Sequence, residues 1–152
     1  MQLDLDVQNV STAPGIPAEA DFAHWADAAL AGRRECAELT IRVVDEEEGD
    51  ALNRRYRGRC GPTNVLSFPF DAPPGLSECD LIGDLVICAP VVEREAEEQG
   101  KTLAAHWAHM VVHGVLHLIG YDHLSEAQAA EMEGLETNTL GGLGFPSPYE
   151  DS

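Results

Sequence analysis

The eleven residues H-G-V-L-H-L-I-G-Y-D-H, positions 113 to 123, constrain this chain more than any other segment. His113 and His117 are four residues apart, so on a helix their imidazoles project from one face, a single turn apart. Gly120 stops that helix three residues after His117, and the turn it permits swings His123 back toward the first two. Three neutral imidazoles converging in this way make a three-nitrogen site with a fourth position open, the form that catalytic zinc takes. Nickel, copper and iron also accept imidazole nitrogen, so zinc is the first choice among several. The fold must supply a long helix that ends in a sharp turn.

The rest of the pattern supplies that helix with neighbours. Residues 3–7 alternate apolar with acidic, and residues 39–44 alternate and are β-branched, which predicts two strands. Residues 64–70 and 81–88 are further strand candidates, the latter interrupted by Gly83 and Asp84. Helices are expected over 18–30, 45–56, 91–99, 102–119 and 125–140. Pro90 suits a first helical turn, Thr102 a cap, and Ser125 with Gln128 has capping-box spacing. This order predicts an α/β (α+β) fold: one small mixed sheet of about four strands with about five helices, the histidines at the end of a central helix. A mass of 16.4 kDa favours a single domain over 1–152, with an irregular tail from about 141.

With 44% apolar and 24% charged residues the chain is an ordinary globular one, which excludes collagen, coiled-coil fibre and wholesale disorder. Its net charge of -18 repels phosphate over most of the surface, so general coating of nucleic acid is excluded and a local basic cleft is not. Four of the nine basic residues, Arg54, Arg55, Arg57 and Arg59, fall within six positions. Guanidinium forks suit a phosphodiester and the charge that develops on it. The bland alternative is a solvated helix end whose arginines pair with Glu46, Glu47 or Glu48. Cys36, Cys60, Cys79 and Cys88 form no CxxC pair, and reduced, mostly buried thiols in a cytoplasmic protein are expected. The first ten residues do not read as a secretory signal, and no window reads as a membrane span.

The histidine string is similar to the metzincin string H-E-x-x-H-x-x-G-x-x-H at every fixed position but one. Gly114 stands where those peptidases carry the glutamate that takes a proton from metal-bound water. The cage is written here and the peptidase base is not. His106 and His109, upstream on the same helix, are read as packing residues or as side chains that orient a ligand. Asp122 either orients an imidazole or stays in solvent.

Three further stretches stand beside this string: A-H-W-A-H-M-V-V just before it, L-N-x-x-Y-R-G with P-T-N-V-L-S-F-P-F over 52–70, and L-I-G-D-L-V-I-C over 81–88. Together they resemble the YbeY family of bacterial endoribonucleases and rRNA maturation factors, in order from about position 39 to 149. The resemblance implies one zinc ion held by His113, His117 and His123, with Arg57 as the basic residue of the active site. Arg54, Arg55 and Arg59 are weaker candidates for substrate contact. It also implies cleavage of single-stranded RNA, maturation of the small-subunit rRNA 3′ end, ribosome quality control, and partners among ribosomal proteins and a ribosome-assembly GTPase. The rivals are a metal-dependent peptidase or amidohydrolase, and a non-catalytic ribosome-assembly module whose structural zinc takes Cys60, Cys79 or Cys88 as fourth ligand.

Overall fold

The computed structural model describes residues 2–33, 36–58, 61, 63–69, 81–121 and 124–148. Along the chain run β1 (Gln2–Asn9), α1 (Glu19–Leu30), β2 (Cys36–Val44), α2 (Glu46–Arg57), β3 (Val65–Pro69), β4 (Leu81–Cys88), α3 (Ala89–Glu98), α4 (Leu103–Leu118) and α5 (Glu126–Gly142). The strands form one mixed sheet in the order β1-β2-β4-β3, with β3 alone antiparallel to its neighbour. Parallel pairing of β1 with β2 needs a crossover, and α1 provides it.

Alternation decides which side of the sheet each strand residue serves. Leu39, Ile41 and Val43 of β2 face α1, α4 and α5 in the larger core, around the buried Phe22 and Trp107. Val44, Leu66, Val86 and Cys88 face the other way, joined by Val91 of α3 and the half-buried Leu52 and Phe68. The expected interruption of β4 resolves as a bulge inside a continuous strand. Its register skips Ile82 between Leu81 and Gly83, and Gly83 takes φ +149°. A Cβ at Gly83 would stand 2.4 Å from the carbonyl oxygen of Phe68 and 2.7 Å from Cδ2 of Leu118. Only glycine lets β3, β4 and the end of α4 approach this closely.

Helix α4 is the central element, touching α1, α3, α5, β3 and β4. Its start is fixed as its sequence foretells: the Thr102 hydroxyl accepts the Ala105 N–H at 3.1 Å. Its end wraps at Gly120, φ +108°, where the Gly120 N–H donates to the His117 carbonyl and the Tyr121 N–H to that of Leu116. Helix α5 runs two residues past its expected end, to Gly142. Cys88 is free and buried, but Cys36 is disulfide-bonded to a partner outside the described residues, which corrects the expectation of reduced thiols throughout.

Candidate metal centre

Four histidines follow one face of α4. The ring centroids of His106 and His109 are 6.0 Å apart, those of His109 and His113 6.2 Å, and those of His113 and His117 6.3 Å with planes only 14° apart. The spacing of four thus places His113 and His117 one above the other, as expected. Nδ1 of His117 lies 2.9 Å from the carbonyl oxygen of Tyr121. A carbonyl only accepts, so Nδ1 carries the proton and the neutral ring keeps its lone pair on Nε2. The Gly120 turn brings that carbonyl round.

His113 is oriented in the same sense by a different partner. Its Nδ1 meets Oε1 of Glu136, a fully buried residue of α5. An ionised carboxylate also only accepts, so Nδ1 donates and Nε2 again holds the lone pair. Nε2 of His109 lies 3.8 Å from the same oxygen. Ligand atoms of His109, His113 and Glu136 all lie within 4.8 Å of one another, a group that could hold a metal ion. Reading the sequence missed Glu136. The signal was there, because Met132, Glu136 and Leu140 are the buried residues of α5 at a spacing of four, and a carboxylate interrupts that apolar stripe.

His106 serves a different network. Its Nε2 lies 3.0 Å from Oε1 of Glu95, which also accepts from Nδ2 of Asn64 at 3.0 Å. Burial pushes the His106 pKa below its ordinary 6.5, against the raising effect of Glu95. This trio ties α3, α4 and the start of β3 together.

Gly114 faces the sheet. A Cβ there would lie 2.7 Å from Cδ2 of Leu85, itself fully buried in β4. A glutamate in this position would drive into the core, so the peptidase base has no room. Cys88 packs with Val44, Leu66 and Val86 on the other side of the sheet, which removes it as a fourth ligand. Cys60 and Cys79 lie outside the described residues.

The arginines end α2, where Gly58 takes φ +66° and its N–H donates to the Arg54 carbonyl. The described arginines of this run are solvated, as the bland alternative has it, but none of them pairs with Glu46, Glu47 or Glu48. Glu46 faces Arg94 at 3.8 Å and Glu48 pairs with Arg42, while Arg54 reaches Asp50 at 3.1 Å. Arg55 lies over the ring of Tyr56, 5.4 Å from its centroid, and Arg57 is exposed.

A sequence profile of the family described as Endoribonuclease YbeY matches residues 7–144. The chain belongs to the YbeY family. The match takes in the end of β1 and all of α1, more of the N-terminal part than the motifs alone covered. A solution structure of TM1509 from Thermotoga maritima superposes with a TM-score of 0.60 at 22% identity, over 95% of this chain and 99% of that one, which shows a shared fold. In this YbeY-family chain the structure joins His113 to His117, adds His109 and Glu136 beside His113, and leaves Arg57 at the open end of α2. Arg59, Asp122 and His123 lie outside the described residues.

Proposed function

We propose that the protein is a zinc-dependent, single-strand-specific endoribonuclease of rRNA processing that matures the small-subunit rRNA 3′ end and serves ribosome quality control. The observation that carries this reading is the common orientation of two imidazoles. His113 and His117 each commit Nδ1 to an acceptor-only oxygen, which leaves the two Nε2 lone pairs on parallel rings. Zinc takes neutral imidazole nitrogen, and ligating histidines usually donate their other N–H to a carboxylate or a carbonyl. In this reading His123 is the third ligand and Glu136 orients His113. Binding by His109, His113 and Glu136 instead would cost the contact between His113 and Glu136, or set a carboxylate to serve the ion and the imidazole at once.

Zinc, when bound, supplies a Lewis acid for a phosphate oxygen. Arg57 neutralises the charge that grows on the phosphoryl group, and Asp122 or His109 tunes the orientation of the ligands. Arg54, Arg55 and Arg59 hold neighbouring phosphates. A net charge of -18 opposes tight binding to bare RNA, so small-subunit ribosomal proteins and a ribosome-assembly GTPase deliver the enzyme to its cut site. The setting in this reading is the cytoplasm, although the Cys36 disulfide is not what a reducing compartment favours. Among the described residues no helix is long and apolar enough to cross a membrane.

The test is cleavage of an end-labelled single-stranded RNA carrying the small-subunit rRNA 3′ end. Wild type is run beside His117→Ala, His109→Ala and Arg57→Ala, each checked for folding and zinc content. Cleavage by wild type that is lost in His117→Ala together with zinc, and lost in Arg57→Ala with zinc retained, supports the assignment. Loss of zinc in His109→Ala but not in His117→Ala moves the ion to the other group. A folded, zinc-loaded wild type that cuts nothing, even on ribosomes, leaves a structural-zinc module.

A further inference from the structure

Tyr56 is 56% exposed, although it lies in the middle of the last turn of α2. The ring is nevertheless fixed. Phe68 of β3 meets it edge to face, centroids 5.2 Å apart and planes at 73°, and Phe68 is itself packed on the second core. The Arg55 guanidinium lies 5.4 Å from the Tyr56 centroid, and Arg54 and Arg57 share the same helix end. An exposed, rigidly backed aromatic ring among cations, in a chain of net charge -18, is charge-complementary to one class of partner.

We propose that Tyr56, braced edge to face by Phe68 and with the Arg55 guanidinium over one face of its ring, offers the remaining exposed face as a platform on which one unpaired base of the RNA substrate stacks. The inference rests on the ribonuclease reading above. Every base presents a π-face, so such a platform tolerates any sequence, while the neighbouring arginines take the backbone. A base inside a duplex has both faces covered by its neighbours, so the platform selects single strands. Its place relative to the histidines follows from Gly83. The Phe68 carbonyl and the Leu118 side chain both close on that glycine, and Leu118 follows His117 in α4. Strand β3 is the edge strand, so the Phe68 ring and the histidine end of α4 lie on opposite faces of the sheet beside one edge, and an RNA strand seated on Tyr56 reaches the histidines by passing over β3.

The experiment uses full-length, zinc-loaded protein and a single-stranded RNA substrate with 2-aminopurine at successive positions, beside the matched duplex. Tyr56→Ala and Tyr56→Leu are expected to raise KM roughly 5- to 150-fold, the equivalent of about 1–3 kcal/mol, with kcat little changed. Both should abolish the 2-aminopurine quenching that wild type shows at one position, and Tyr56→Phe should restore it. Tyr56→Leu with wild-type KM and quenching would overturn the platform, since leucine keeps the apolar surface and removes the π-face. Folded Tyr56→Ala that binds and discriminates like wild type would overturn it too, leaving the ring to a protein partner. If wild type neither binds nor cuts RNA, the ribonuclease reading falls first and the platform with it.

Discussion

Glu136 of α5 and His113 of α4 meet through a carboxylate oxygen and an imidazole Nδ1, across 23 residues of chain. That contact predicts a graded loss of metal affinity. Glu136→Gln keeps an acceptor for the imidazole N–H, whereas Glu136→Leu removes it. Removing such orienting partners typically costs 10- to 100-fold in affinity. Zinc competition against a chromophoric chelator should give the lower figure for glutamine and the upper one for leucine. Equal, complete loss of binding in both would make Glu136 a ligand.

Position 114 has no space for a side chain. Gly114→Ala should cost about 1–3 kcal/mol of overpacking against Leu85, partly offset by the roughly 1 kcal/mol that alanine gains over glycine in a helix. Gly114→Glu should cost more, because it drives a carboxylate into the apolar core against Leu85. Urea melts at constant zinc read both, and a Gly114→Glu protein as stable as wild type would contradict the packing.

The buried His106 sets a pH dependence. Its pKa is depressed in the folded state, chiefly by burial, so the unfolded chain binds the extra proton first. Its contribution to stability is complete above pH 6.5 and is lost as pH falls from there through the folded pKa. The slope in that window is at most about 1.4 kcal/mol per pH unit. Denaturant midpoints for wild type and His106→Gln from pH 8 to 5 should differ by a constant gap above pH 6.5 and converge as pH falls below it, the variant being the flatter curve.

The arginines of α2 are not equivalent. Arg54 is engaged by Asp50 at 3.1 Å, and Asp50 also accepts the Gly61 N–H at 2.6 Å. Arg54→Ala should therefore change single-turnover cleavage by less than about fivefold, since exposed pairs of this kind are weak. Arg57→Ala should lower it by about 10²–10³, the usual cost of losing a donor to a developing oxyanion. Arg55→Ala should reduce the slope of log affinity against log salt by about 0.7, the value for one phosphate contact on a single strand.

Much of this architecture is local and so was legible. The Thr102 cap, the Gly120 stop and the four-residue histidine spacing are short-range signals, and each appears where the sequence places it. The strand at Gly83 reads as broken because a glycine beside an aspartate weakens any strand pattern. Its reason is a three-way approach of β3, β4 and α4 that only the assembled fold contains. Glu136 stands in a legible stripe with Met132 and Leu140, but its role was hidden for a similar reason. One glutamate among the four of α5 declares its role only when the helix is docked against His113. The platform pairs Tyr56 with Phe68 from different elements, and no spacing within one element announces it.

The contact of Gly114 with Leu85 separates two chemistries by an evolutionary valley. A lineage that inserted the peptidase glutamate first would strain a filled core. One that trimmed Leu85 first would open a cavity worth about 2–5 kcal/mol, a large share of the 5–15 kcal/mol that holds a domain folded. Either order passes through weakened intermediates. A shared spacing of histidines is thus no short bridge to the peptidase pattern, because the toll is levied in the interior, away from the imidazoles.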